Sequence, residues 1–119
     1  MSKTLFEVKS ALGKLVTCST DTWNNHIKTG HSVMDGNVDK VIDAIQNPFT
    51  VYESNDNKQR DVYFAHSMYN INGRPPTELV TKVIVQNEAD FSTVVSAWPQ
   101  REIKGNINEK VMKYVRPKL

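Results

Sequence analysis

Three histidines occur in the 119 residues, and two of them, His26 and His31, fall in the short stretch DTWNNHIKTGH beside Trp23. Histidine titrates near neutrality unaided, so such a pair supplies an acid and a base. One reaction that needs both is cleavage of RNA by its own 2′-hydroxyl. A base takes that proton, an acid protonates the leaving 5′-oxygen, and cations or donors hold the charge gathering on phosphorus. The substrate carries its own nucleophile, so this route needs no metal and no cofactor. The candidate catalytic groups are His26 and His31 in either order, Arg60 as a fork for two phosphate oxygens, and Ser96 as a hydroxyl donor. Lys104 and Arg101 are candidate phosphate binders, and Trp98 or Tyr63 a platform for a base.

Competing readings use the same residues. Trp23 at helical spacing suits a core, where large aromatics bury most area. His26, His31, His66 and Cys18 are a potential zinc set, but the H-x4-H spacing is not the i, i+4 pair of a helical zinc site, and no second cysteine exists. No metal is therefore expected. Cys18 reads as a small buried residue. No phosphate-cradling glycine loop of the G-x-x-x-x-G-K-S/T or G-x-G-x-x-G type occurs.

The elements must position these groups. Ser19, Thr20 and Asp21 are good caps for a helix carrying Trp23 and Ile27 on one face, with Gly30 suited to end it. Positions five apart lie about 140° around an ideal helix. His26 and His31 thus converge only if the helix stops at Gly30 and frees His31. A second helix, capped by Asp35 or Asn37, carries the stripe Val38, Val41, Ile42 and Ile45 and ends before Pro48. Periodicity then falls to two. FTVYES, RDVYFAHSMY, ELVTKVIVQ and FSTVVSAWP read as four strands joined by short turns, which makes neighbours antiparallel. In FSTVVSAWP, strict alternation puts Ser92, Val94, Ser96 and Trp98 on one face. LFEVKS and KLVTCS around Gly13 suggest an extra N-terminal hairpin, and NINEKVMKYV a last helix or strand. The expected architecture is α+β: two N-terminal helices packed on a four-stranded antiparallel sheet, in one domain over 1–119.

Composition bounds the rest. The apolar fraction is 39% and the charged fraction 24%, ordinary for a globular chain. No apolar run approaches a membrane span, and the start lacks a long apolar signal region. One cysteine excludes an internal disulfide and suits a reducing compartment. The net charge of +2 is mild, but Arg101, Lys104, Lys110, Lys113, Arg116 and Lys118 gather after Gln100 against Glu102 and Glu109. A basic end suits an anionic partner.

The order of the pieces H-I-x-x-x-H, V-I-x-x-I-x-N-P, V-Y-x-S, R-x-V-Y-F, V-T-K-V-I-V and S-A-W-P-x-R-x-I-K-G resembles phage-type nucleases of the barnase–EndoU–colicin–RelE (BECR) group and, more loosely, BrnT-like toxin RNases. The likeness runs from Trp23 to Gly105. It implies helices on a four-stranded antiparallel sheet and a metal-independent ribonuclease, often a toxin in phage or bacterial competition. It implies a cleft built from His26, His31, Arg60 and Ser96, with Arg101 or Lys104 as the basic residue after the last strand. Ser96 and Trp98 stand where the family often has threonine and phenylalanine. RNA, with tRNA the first to try, is then the substrate. The cytoplasm is where it acts, and an acidic immunity protein or antitoxin is the expected partner. A binding domain without catalysis is the alternative.

Overall fold

A computed structural model describes residues 3–71 and 73–117. Lys118 of the basic tail lies outside them. Two strands open the chain, β1 (Thr4–Lys9) and β2 (Leu15–Ser19), paired as an antiparallel hairpin. A continuous helical segment, α1, follows over 20–30. Its first turn, Thr20–Thr22, is capped by the Ser19 hydroxyl, which accepts from the Thr22 amide at 3.0 Å. The middle, Trp23–Ile27, is a π turn. There the Thr29 hydroxyl donates to the Asn24 carbonyl at 2.7 Å. The last turn is Lys28–Gly30. Gly30 stays out of the left-handed region, and the chain leaves the helix at His31, with φ −140° and ψ 82°. A 3₁₀ turn, Ser32–Met34, leads to α2 (Val38–Gln46). Val41, Ala44 and Ile45 of α2 are buried, and Asn47 ends it just before Pro48.

Five more strands follow: β3 (Thr50–Ser54), β4 (Arg60–Tyr69), β5 (Thr77–Asn87), β6 (Ser92–Gln100) and β7 (Ile107–Val115). All seven strands form one sheet in the order β1-β2-β6-β5-β4-β3-β7. This corrects the expected architecture. β3 to β6 do form an antiparallel meander. However, the N-terminal hairpin joins it through β2, which runs parallel to β6 at Val16↔Ser92 and Thr17↔Thr93. β7 closes the other side against β3. The sheet is mixed and seven-stranded, the helices are short, and the architecture implied by the nuclease resemblance is overturned. The cause is non-local pairing. β2 and β6 are separated by the whole helical region, and periodicity carries no sign of which distant strand completes an edge.

The sheet is covered on both faces. On one, Trp23, Ile27, Met34, Val41 and Ile45 from the helical segments pack on Tyr63, Ala65, Tyr69, Val83, Val85 and Ala97. On the other, Val62, Phe64, Val80 and Ile84 form a smaller cluster with Tyr52, Val95, Trp98, Ile103 and Ile107. Burial on both faces explains why VYFA in β4 and VIV in β5 are continuous apolar runs rather than alternating ones. The second face is closed by a strap, residues 101–106, that leaves β6 and passes β5, β4 and β3 to reach β7.

Candidate functional site

The strap needs an anchor in the sheet, and Lys82 provides it. Lys82 lies in central β5 and is only 2% exposed. Its Nζ donates to the Lys104 carbonyl at 3.2 Å and to Asn106 Oδ1 at 2.8 Å. It also sits 4.8 Å from the Trp98 ring centre and 5.9 Å from that of Phe64. Loss of water lowers the Lys82 pKa from its ordinary value. Strap backbone bends to meet the ammonium: Gly105 has φ +84° and Asn106 φ 63°.

Trp98 is held from two sides. Lys82 reaches it from its partner position on β5. His31 reaches it past the other edge of β6, where β2 pairs only at Ser92 and Thr93 and the helical segment packs instead. The His31 and Trp98 rings stack, with centroids 5.3 Å apart and planes 22° apart. The Trp98 indole N–H donates to Gln100 Oε1 at 3.1 Å. With imidazole and ammonium on its faces, Trp98 offers no open platform for a base.

The remaining predicted residues are dispersed. His26 is exposed on the π turn, while its neighbour Ile27 is buried. Arg60 starts β4, opposite Gln86, and its Nε donates to Gln86 Oε1 at 2.9 Å. Gln86 and Lys82 are four residues apart on β5, or about 13 Å along a strand, so Arg60 lies far from Trp98. Ser96 shares the strap face with Trp98 and is buried. A bulge at Val95 put it there: Val85 pairs with Val94 but Ile84 with Ser96. The strict alternation expected through FSTVVSAWP is therefore broken, and Val94 faces the helices instead. Tyr63 is wholly buried in the helix-side core, so it stacks on no ligand. Burial lifts its pKa to about 12 against the lowering pull of Ser10, and its hydroxyl has no hydrogen bond of ordinary geometry. The Lys104 ammonium pairs with Glu102 at 3.2 Å. Cys18 is buried, which raises its thiol pKa to about 11. Among the described residues no group of three or more His, Cys, Asp or Glu is placed to hold a metal ion. None of the described helices is long and apolar enough to cross a membrane.

The arginines divide more usefully. The chain has four. Arg60 is tied to Gln86, and the Arg116 guanidinium donates to the Asn47 carbonyl. Arg74 and Arg101 form no ion pair or side-chain hydrogen bond among the described residues. Both line one cleft of about 510 Å³, with Ile71, Thr77, Glu78, Leu79, Pro99 and Gln100. Strand register opens it. β6 stops at Gln100 opposite Val80, whereas β5 begins at Thr77, so residues 77–79 project past their neighbour. Arg101 was among the expected phosphate binders. Arg74 escaped sequence reading because nothing in NINGRPP separates a site residue from a solvated turn.

No family model, curated protein or solved structure matches the chain.

Proposed function

We propose that the chain binds a phosphate-bearing nucleotide ligand, a single strand of RNA in its extended form, in the cleft between Arg74 and Arg101. One observation carries this reading: the two guanidiniums that have no side-chain partner among the described residues line the same cleft. A guanidinium grips phosphate oxygens in pairs and is less strongly hydrated than an ammonium, so two in one concavity favour a phosphoryl group. The volume of about 510 Å³ falls within the size range of small-ligand sites. Thr77 adds a hydroxyl to the lining. Its Oγ1 donates to the Pro75 carbonyl at 3.1 Å, a bond it must give up to donate to a phosphate oxygen.

Binding without cleavage is the reading we hold. Transfer of two protons at one phosphate needs two groups within hydrogen-bond reach of it. His31 is stacked on Trp98, His26 is exposed on the helix, and Arg60 is at the far end of β4.

Fluorescence anisotropy with a labelled single-stranded RNA tests this. Arg74→Ala together with Arg101→Ala is expected to weaken binding at least tenfold without lowering the melting temperature. The two lost phosphate contacts should flatten the salt dependence, with log K against log salt changing slope by about 1.4. Equal affinity in the double variant would overturn the site. RNA cut to 2′,3′-cyclic phosphate ends by the wild type but not by His31→Ala would overturn binding without cleavage.

A further inference from the structure

The β4–β5 hairpin projects past its neighbours on both sides, and its other edge differs from the basic cleft. β3 pairs with β4 only from Thr50↔Phe64 to Glu53↔Asp61. Pairing runs one bond further, from the Phe49 amide to the Phe64 carbonyl at 2.7 Å. Pro48 comes next. It has no N–H, so the ladder stops there. Beyond that point β4 keeps a neighbour on the β5 side alone, in unbroken register to Tyr69↔Thr77.

The direction of the free groups follows from the same bond. The Phe64 carbonyl points to the β3 side, and strand groups repeat every two residues. The amides and carbonyls of His66 and Met68 therefore point to that open side too. Among the described residues no backbone group answers them. They face a cleft of about 420 Å³ between β4 and α2, lined by Asp39, Lys40, Asp43, His66, Ser67 and Met68. The Lys40 ammonium turns over the Tyr69 ring, 5.4 Å from its centre. Asp43 accepts from Asn47 Nδ2 at 3.2 Å, and Asp39 has no side-chain partner among the described residues. The wall is thus acidic. Met68 and Phe49, at 52% and 39% exposure, supply apolar surface beside it.

The outer edges of the sheet are defended differently. β1 breaks register between Thr4 and Phe6, and β7 does so twice, with Lys110 exposed along it, while the Lys113 ammonium turns inward to the buried Asp61 carboxylate at 2.6 Å. Bulges and lysines discourage strand addition. The β4 edge has neither.

We propose that β4 takes up an extended peptide segment with basic side chains, added as a strand along His66–Met68. The unpaired backbone groups select an extended chain. Asp39 and Asp43 select its charge, and Met68 and Phe49 receive its apolar side chains.

The test uses the full chain and a fluorescein-labelled decapeptide of alternating valine and lysine. The anisotropy should saturate, and hydrogen exchange at the His66 and Met68 amides should slow at least tenfold in the complex. The matching valine–glutamate peptide should bind at least tenfold more weakly. Asp39→Asn with Asp43→Asn should weaken the lysine peptide by a similar factor while leaving the melting temperature unchanged, since both side chains are on the surface. Binding with no slowing at those two amides would overturn the proposal. So would equal binding of the two peptides, or full affinity in the double variant.

Discussion

The two faces of the sheet are closed by different means. Under the helices the seal is mainly apolar: Ile27, Met34, Val41 and Ile45 are fully buried against Tyr63, Ala65 and Val83, and the buried Tyr69 and Thr81 hydroxyls bond each other. Under the strap the seal has a cation at its centre, with Lys82 bonded to the Lys104 carbonyl and to Asn106. Apolar burial is non-directional and tolerates some freedom in where a helix lies. An ammonium with two oxygen acceptors sets the position of individual strap atoms, at the cost of lost hydration. The helix face carries the larger apolar cluster. The strap face holds the geometry that leads from β6 to β7 and keeps Trp98 between Lys82 and His31.

Truncation separates the faces most sharply. Ile45→Ala is expected to cost about 2–5 kcal/mol, the range for emptying a well-packed core site. Urea unfolding should show a lower midpoint with an unchanged slope. A change under 1 kcal/mol would mean that the helices are loosely seated. Next comes Gly105→Ala. A β-carbon there would lie 3.0 Å from Lys82 Nζ at φ +84°, so the ammonium must give way by a few tenths of an ångström and the backbone is strained. A cost of about 1–3 kcal/mol is expected. Gly13→Ala shares the positive φ but meets nothing within 4 Å, so it should cost less. Equal costs would remove the Lys82 contact from the account.

The smallest effect is the pH response. Lys82 has a lowered pKa in the folded state, so between that value and 10.5 the unfolded chain holds more protons. Stability then rises with pH, by at most about 1.4 kcal/mol per unit for one proton. Below the folded pKa both states are protonated and the slope vanishes. Wild type should therefore gain on Lys82→Met as pH climbs from 7 to 10, measured as the difference in unfolding free energy. A difference that stays flat, or that moves the other way, would show that the ammonium is not desolvated.

Much of the local structure was legible. The Ser19 hydroxyl caps α1, the stripe Val41, Ile45 marks the buried side of α2, and Pro48 follows its end. The four central strands are where alternation and β-branched residues put them, since both signals depend on residues close in sequence. The π turn at Trp23–Ile27 was not legible, because one extra residue per turn leaves no mark on composition. Nor was the bulge at Val95, which moved Ser96 and Trp98 to the face opposite Val94. The spacing between the candidate catalytic residues, with His31 on Trp98 and Arg60 beside Gln86, was not legible for the same kind of reason. His26, His31, Arg60 and Ser96 sit on elements whose mutual register no periodicity encodes.

By itself, then, the amino-acid order placed the two helices and the four central strands and put Arg101 after a strand, while it left 107–115 open between helix and strand. Tertiary structure alone decided that seven strands share one sheet, that Lys82 closes its second face, and that Arg74 meets Arg101 where β5 outruns β6. Caps, turns and amphipathic repeats act over a few residues. Strand order, register and clefts arise from packing between segments dozens of residues apart, where many pairings satisfy the same local pattern and only the assembled core selects one.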